Sequence, residues 1–318
     1  MRRWATISRG VLPAAVALLV AAGLICGGCQ RKKDDRTVRV IGSTSIQPFA
    51  EMLAEEFNGS QGDVYVEVQG GGSTAGLQAV DSGYAQIGMC SRSLKPQEQF
   101  NSVTVAYDGV AVVVNNLNPI RGLSRRQIAD IFAGNRKFWT DDQLGGPPWP
   151  IRLITREEGS GTREAFTTMV MDYGTGQDVK KLHAPYASPT TMPDDVKKAI
   201  DRLLADRPRI TMYSITEPSN GSVKALVSGD KAAIGYMSLG QVGTELRSIE
   251  VDGIVPNART VLEEDPGKRY PLVRPFLFVY RGEMTPSAKK FVDYVLSKEA
   301  QDLLTRKGLV RVDAHVEE

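Results

Sequence analysis

Four times in the first 170 residues an apolar, alternating stretch runs into a loop of Gly, Ser and Thr, and after three of these loops a helical pattern follows. Thr37-Val38-Arg39-Val40-Ile41 leads into Gly42-Ser43-Thr44-Ser45, after which Ile46, Phe49, Ala50, Leu53, Ala54 and Phe57 recur at helical spacing and stop at Asn58-Gly59. Val64, Val66 and Val68 lead into Gly70-Gly71-Gly72-Ser73-Thr74 and a short helix through Leu77 and Val80. Ile87-Gly88-Met89 leads into Ser91-Arg92. Ile151 to Thr155 leads into Arg156-Glu157-Glu158-Gly159-Ser160-Gly161-Thr162, with Phe166, Met169 and Val170 beyond. Strands alternating with helices demand an α/β architecture with largely parallel sheets. Ligands of open α/β sheets sit beyond the carboxyl ends of the strands, where these loops must lie.

The remaining pattern implies two such layers. Asp108-Gly109 precedes Val110 to Val114, an apolar run suited to a buried strand. Ser124 and Gln127 have the spacing of a capping box ahead of Ile128, Ile131 and Phe132. Gly145-Gly146-Pro147-Pro148 marks a loop, and Asp265-Pro266-Gly267 punctuates the approach to a late strand, Pro275 to Tyr280. A final helix carries Ala288, Phe291, Val292, Val295 and Leu296. A chain of 318 residues supports two cores. The expected division is a first lobe of residues 37–112 and 274–318 and a second of 113–273, each a mixed, mostly parallel sheet flanked by helices, joined by more than one crossing.

Arg2, Arg3 and Arg9, the apolar run Val11–Ile25 and the small residues after it describe an export signal. Spanning a bilayer takes about 20 apolar residues, so the run is short for a permanent anchor. Gly27-Gly28-Cys29 is similar to the lipobox of bacterial lipoproteins, although Cys26 stands where Leu is usual. Residues 1–28 are read as the signal peptide, Cys29 as the lipidated residue, and 29–36 as a polar tether; an ordinary signal peptide cut nearby is the alternative, and either exports the protein. The signal holds three Arg and no acid, so its removal takes the formal charge from +2 to −1.

Composition narrows the chemistry. Lys and Arg number 39 against 37 Asp and Glu, which argues against nucleic acid as a partner. The three cysteines are too few for a disulfide framework, and Cys90, the one in the body of the chain, reads as a buried small residue. His183 and His315 adjoin no motif. Gly159-Ser160-Gly161 lacks the spacing of a nucleophile elbow, and Gly70–Thr74 lacks the lysine of a phosphate-binding nucleotide loop. No Cys/His cluster suggests a metal. The reading is therefore of no catalytic residue, no metal and no cofactor.

Glycine lets backbone N–H groups converge, helix N-termini add partial positive charge, and Ser and Thr add uncharged donors. One such loop is commonly only a cap; several at one sheet edge form a cage for an oxyanion. Arg156 is the sharpest element, because a guanidinium forks onto a tetrahedral anion. The plainer readings are that Arg156 pairs with Glu157 or Glu158 at the surface while Ser160 merely caps a helix, or that Glu158 orients Arg156 toward an anion.

These residues resemble the phosphate-binding proteins of bacterial phosphate ABC importers, the PstS family in its shorter-chain form. The resemblance runs in order through Gly42–Pro48, Gly71–Gly76, Ile87–Arg92, Asp108-Gly109, Ile131-Phe132-Ala133-Gly134 with Trp139, Arg156–Thr162 and Ala233–Leu239. It implies a two-lobed periplasmic-binding-protein fold, type II-like with two crossovers, that closes on inorganic phosphate and hands it to ABC permease subunits; with the N-terminal signal and Cys29, the protein is expected to be an exported, lipid-anchored monomer facing the periplasm or the outside. By motif position Thr44, Ser45 and Ser73 would donate from the first lobe, and Arg156, Ser160, Gly161 and Thr162 from the second. Longer members place an aspartate in the third loop, where this chain has Ser91 followed by Arg92. Phosphate at neutral pH keeps a proton that sulfate lacks, so a buried carboxylate acceptor favours phosphate. Asp108 is the candidate acceptor, with a turn cap beside Gly109 as its plainer role. Arg92 is either a second cation on the phosphate or the partner of Asp108. The alternatives to phosphate capture are a receptor for sulfate, molybdate or tungstate, and an exported phosphate-ester hydrolase.

Overall fold

The computed structural model describes residues 36–141, 143–186 and 191–312. The expected signal over 1–28, Cys29, the tether as far as Asp35, and His315 lie outside the described residues.

Among the described residues eleven strands run in chain order: β1 (Thr37–Gly42), β2 (Tyr65–Gly70), β3 (Ile87–Cys90), β4 (Asn101–Asn115), β5 (Gly122–Leu123), β6 (Arg152–Arg156), β7 (Ile215–Glu217), β8 (Ala233–Ser238), β9 (Leu246–Ser248), β10 (Glu250–Val251) and β11 (Val273–Tyr280). Among the described residues the main sheet has the order β2-β1-β3-β11-β4-β8-β6-β7, with β9 against β4, and β5 pairs with β10 apart from it. Pairing is parallel for β1 with β2 and β3, and for β6 with β7 and β8. It is antiparallel at the centre, where β11 joins β3 and β4 and β4 joins β8. The mixed α/β expectation holds.

The crossing is made by β4. The apolar run Val110–Val114 is only its last third: the strand starts at Asn101, because Asn101–Gly109 pairs with β11 and Val110–Val114 then pairs with β8. Side chains sort accordingly. Val38, Val40, Phe49, Phe57, Ala106, Phe276 and Phe291 share one core, while Val110, Phe132, Trp139, Phe166, Tyr236 and Leu272 share another. Val112 already packs in the second core.

Periodicity built the helices largely as expected, although Leu296, expected on the face of the late helix, is its exposed C-cap. Helix Gln47–Ser60 buries Phe49, Ala50, Leu53, Ala54 and Phe57. Ser124 and Gln127 form the capping box of Arg125–Phe132. The helix Pro286–Val295 buries Ala288, Phe291, Val292 and Val295, and it is followed by a further helix, Lys298–Arg306, which returns Ala300 and Leu304 to the same first core. Cys90 is buried and free, and burial pushes its thiol up. In the second core Phe166 stacks on Tyr236 with ring centroids 4.0 Å apart, and Phe132 meets Phe166 edge-on at 4.8 Å. That aromatic stack supports the site, because the Tyr236 hydroxyl bonds Thr155 Oγ1 at 2.6 Å and accepts the Arg156 amide at 3.2 Å.

Candidate functional site

The Ser/Thr/Gly loops meet at the strand ends on either side of the crossing. In the first loop Gly42 has φ +144°, and a Cβ there would run into the backbone of Met89, so β1 can lie beside β3 only with glycine. This brings Ser43 N to Met89 O at 2.9 Å and Ser43 Oγ to Ser91 Oγ at 2.8 Å. In the second loop Ser73 Oγ accepts the Ser91 amide at 3.1 Å. Ser43, Ser45, Ser73 and Ser91 are all buried.

From the other lobe, the helix Gly161–Phe166 is capped by Ser160, whose Oγ accepts Arg163 N. Gly161 lets this helix approach: a Cβ there would run into Ser73 Oγ and stand 2.6 Å from Ser91 Oγ. Thr162 Oγ1 then shares a 2.8 Å hydrogen bond with Ser45 Oγ across the cleft. Thr74 N donates to Gly159 O at 3.1 Å beside it.

Arg156 ends β6 and is 1% exposed. Its Nε and Nη2 fork onto Glu157 at 2.8 Å each, its Nη2 reaches Thr44 Oγ1 at 3.1 Å, and its Nη1 reaches Asn220 Oδ1 at 3.3 Å. The orienting carboxylate is therefore Glu157 and not Glu158, whose side chain is 93% exposed and stands 3.7 Å from Arg163. Pairing with Glu157 does not take Arg156 to the surface. The strand register sets Arg156 opposite Glu217, and the carbonyl of Glu217 accepts Nε at 3.1 Å.

Two residues of the cluster went unread in the sequence. Arg274, 2% exposed at the start of β11, donates through Nη1 to Thr162 Oγ1 at 2.9 Å and to Ser91 O at 3.1 Å, and through Nη2 to Ser45 Oγ at 3.1 Å. Its Nε and Nη2 also hold Asp108 Oδ2 at 3.1 and 2.8 Å. The lone arginine in Leu272-Val273-Arg274-Pro275-Phe276 was the available signal, since a charge inside an apolar strand must be paired. Asn220, opening the helix Asn220–Gly229 behind the Ser219 cap, donates to Ser45 Oγ at 2.9 Å. Nothing in Ser219-Asn220-Gly221-Ser222 distinguishes it from an ordinary cap.

Asp108 is fully buried against Arg274. Burial pushes its carboxyl up, and the Arg274 charge pulls the other way. Burial pushes the Arg274 guanidinium down, against the pull of Asp108. Arg92 is not the partner of Asp108: it forks onto Glu98 at 2.7 and 2.8 Å and pairs with Glu164. Its guanidinium faces those carboxylates and not the hydroxyl cluster. Thr44, Ser45, Ser73, Ser91, Asp108, Arg156, Gly161 and Thr162 thus come together, Ser160 supports them as a cap, and Arg92 stands beside them.

The arrangement is a buried ring of hydroxyl and guanidinium donors, contributed by both lobes, with each arginine steadied by one carboxylate. Such a ring suits a small oxyanion and holds no nucleophile–base pair.

A family profile described as the PBP superfamily domain matches residues 30–299. The phosphate-binding protein PstS of Bacillus subtilis is 27% identical over 288 residues, covering 88% of this chain and 82% of that one. A protein of Clostridium perfringens assigned as a phosphate ABC transporter substrate-binding protein, solved with bound phosphate, is 34% identical with a TM-score of 0.71, over 87% of this chain and 99% of that one. An ABC-type phosphate transport receptor from Vibrio cholerae is 29% identical with a TM-score of 0.63, over 86% and 99%. With a profile match over most of its length and full-length likeness to these proteins, the chain belongs to the PBP superfamily and, within it, to the PstS family of phosphate-binding proteins.

Proposed function

We propose that the protein captures inorganic phosphate between its two lobes, residues 37–112 with 274–318 and residues 113–273, and delivers it to the permease subunits of an ABC importer. The observation that carries this reading is the convergence on Ser45 Oγ of Thr162 and Asn220, both from residues 113–273, and of Arg274 from the start of β11, all three buried. Thr44, Ser45, Ser73, Ser91, Thr162, Arg156 and Arg274 are the proposed donors to the anion, with Gly161 admitting the second loop and Ser160 capping it. Asp108 steadies Arg274 and places a negative charge next to the site. That charge penalises an anion that brings no proton, which favours phosphate over sulfate.

Capture without covalent chemistry fits the donor set, and the likeness to phosphate-binding proteins over nearly their full length favours phosphate over the other oxyanions and over ester hydrolysis. Among the described residues no helix is long and apolar enough to cross a membrane. The proposal extends to an exported monomer held at the membrane by a lipid on Cys29.

Calorimetry tests it. Phosphate is expected to bind in preference to sulfate and molybdate, and Arg156→Ala to weaken it by at least about tenfold, as for loss of a buried charged donor. Absence of phosphate binding by the unaltered protein would refute the reading, and unchanged affinity in the variant would remove Arg156 from the site.

A further inference from the structure

Beside the hydroxyl ring, a second set of charges joins the lobes. Glu164 stands on the helix Gly161–Phe166, two residues beyond Thr162. Its Oε2 pairs with Arg92 Nε and, at 3.1 Å, with Lys95 Nζ, both on the loop that follows β3 in the other lobe. Glu98 braces that loop. It takes the Arg92 fork, and its Oε2 accepts the Lys95 amide at 2.8 Å, while Arg92 Nη1 donates to Ser93 O at 3.0 Å. The brace leaves one charge over, since Arg92 and Lys95 are two cations facing the single carboxylate of Glu98. Glu164 supplies the balancing charge from across the cleft. The Arg92 side chain is 6% exposed and that of Glu164 25%, so water screens this contact less than a surface pair. Arg92, Lys95 and Glu164 line a cavity of about 470 Å³ between the lobes, which Arg274 also lines.

We propose that Glu164 is the latch of lobe closure: a positioning residue that engages Arg92 and Lys95 when the lobes meet and slows release of the captured anion without touching it. The inference rests on the phosphate-capture reading. Parting the lobes separates Glu164 from both cations while Glu98 stays with them, so the contact favours only the closed arrangement, and a contact made in one state alone shifts the equilibrium toward it. Arg92 adjoins Ser91, whose carbonyl and hydroxyl accept Arg274, so the latch also holds the third loop against the anion ring.

The test is stopped-flow phosphate release. Glu164→Gln is expected to release phosphate roughly tenfold faster, within the usual range of coupling between sites, while association changes by less than about twofold. In the Glu164→Gln background Lys95→Met is expected to add nothing, because its partner is already gone. Unchanged release in Glu164→Gln, or an equal acceleration by Lys95→Met in both backgrounds, overturns the latch and leaves phosphate capture standing. Lys95→Met alone carries the test if Glu164→Gln fails to fold, with faster release expected and unchanged release refuting. If the unaltered protein binds no phosphate, the capture reading falls, and small-angle scattering then decides the latch: the variant is to be the more open, and equal radii refute it.

Discussion

Arg156 and Arg274 share one design. Each guanidinium is gripped by a carboxylate, Glu157 or Asp108, and also reaches a hydroxyl of the first loop, Thr44 Oγ1 for Arg156 and Ser45 Oγ for Arg274. A guanidinium keeps its charge when buried and its planar fork holds two directions at once, which an ammonium does not. Asp108 therefore has two consequences. Asp108→Asn leaves Arg274 buried without its counter-charge, and the unfolding free energy is expected to fall by about 3 kcal/mol, read by urea denaturation. In the folded variant the preference for phosphate over sulfate narrows; competition calorimetry that finds the preference intact would place the proton acceptor elsewhere. Arg156 and the loop hydroxyls were legible as residue types in a Gly-rich context. Glu157 is not separable from Glu158 in sequence, because only the folded turn after β6, where the Glu157 amide donates to the Glu217 carbonyl, sets one against Arg156 and leaves the other in water.

At the scale of elements, the short helix after β6 must come close enough for Thr162 to reach Ser45, and Gly161 makes that approach possible. Gly161→Ala sets a methyl group against Ser73 and Ser91 only when the lobes meet. Phosphate affinity is expected to drop roughly tenfold, the effect of overpacking by 1–3 kcal/mol, while the melting temperature without phosphate changes little. Binding at the unaltered affinity would show that the two loops do not approach in solution as they do here. The helices themselves were readable because their apolar positions repeat within a few residues, as Phe49, Leu53 and Phe57 do. The extent of β4 was not. Asn101–Gly109 carries polar residues at intervals, and only the partner β11 makes it a strand.

In the whole molecule, one sheet carries separate buried cores on either side of the crossing, and Asp108 on β4 and Arg274 on β11 sit where they part. Capture by closure predicts that phosphate reduces the radius of gyration in small-angle scattering; identical radii with and without phosphate would oppose closure as the mechanism. The near balance of 39 basic and 37 acidic residues gives the anion no general field to follow, so attraction is local to the ring. The α/β class, the helix faces, the Ser124 cap and the Gly-rich donor loops are all written in the chain, since each depends on spacing within a turn or two of it. Which donors share the site, and which acid serves which base, follows only from the folded arrangement. Ser45 and Arg274 are 229 residues apart in the chain, and Arg92 and Glu164 stand on different lobes. Local periodicity carries no record of such pairings; they follow from where the crossing strands set the loops in space.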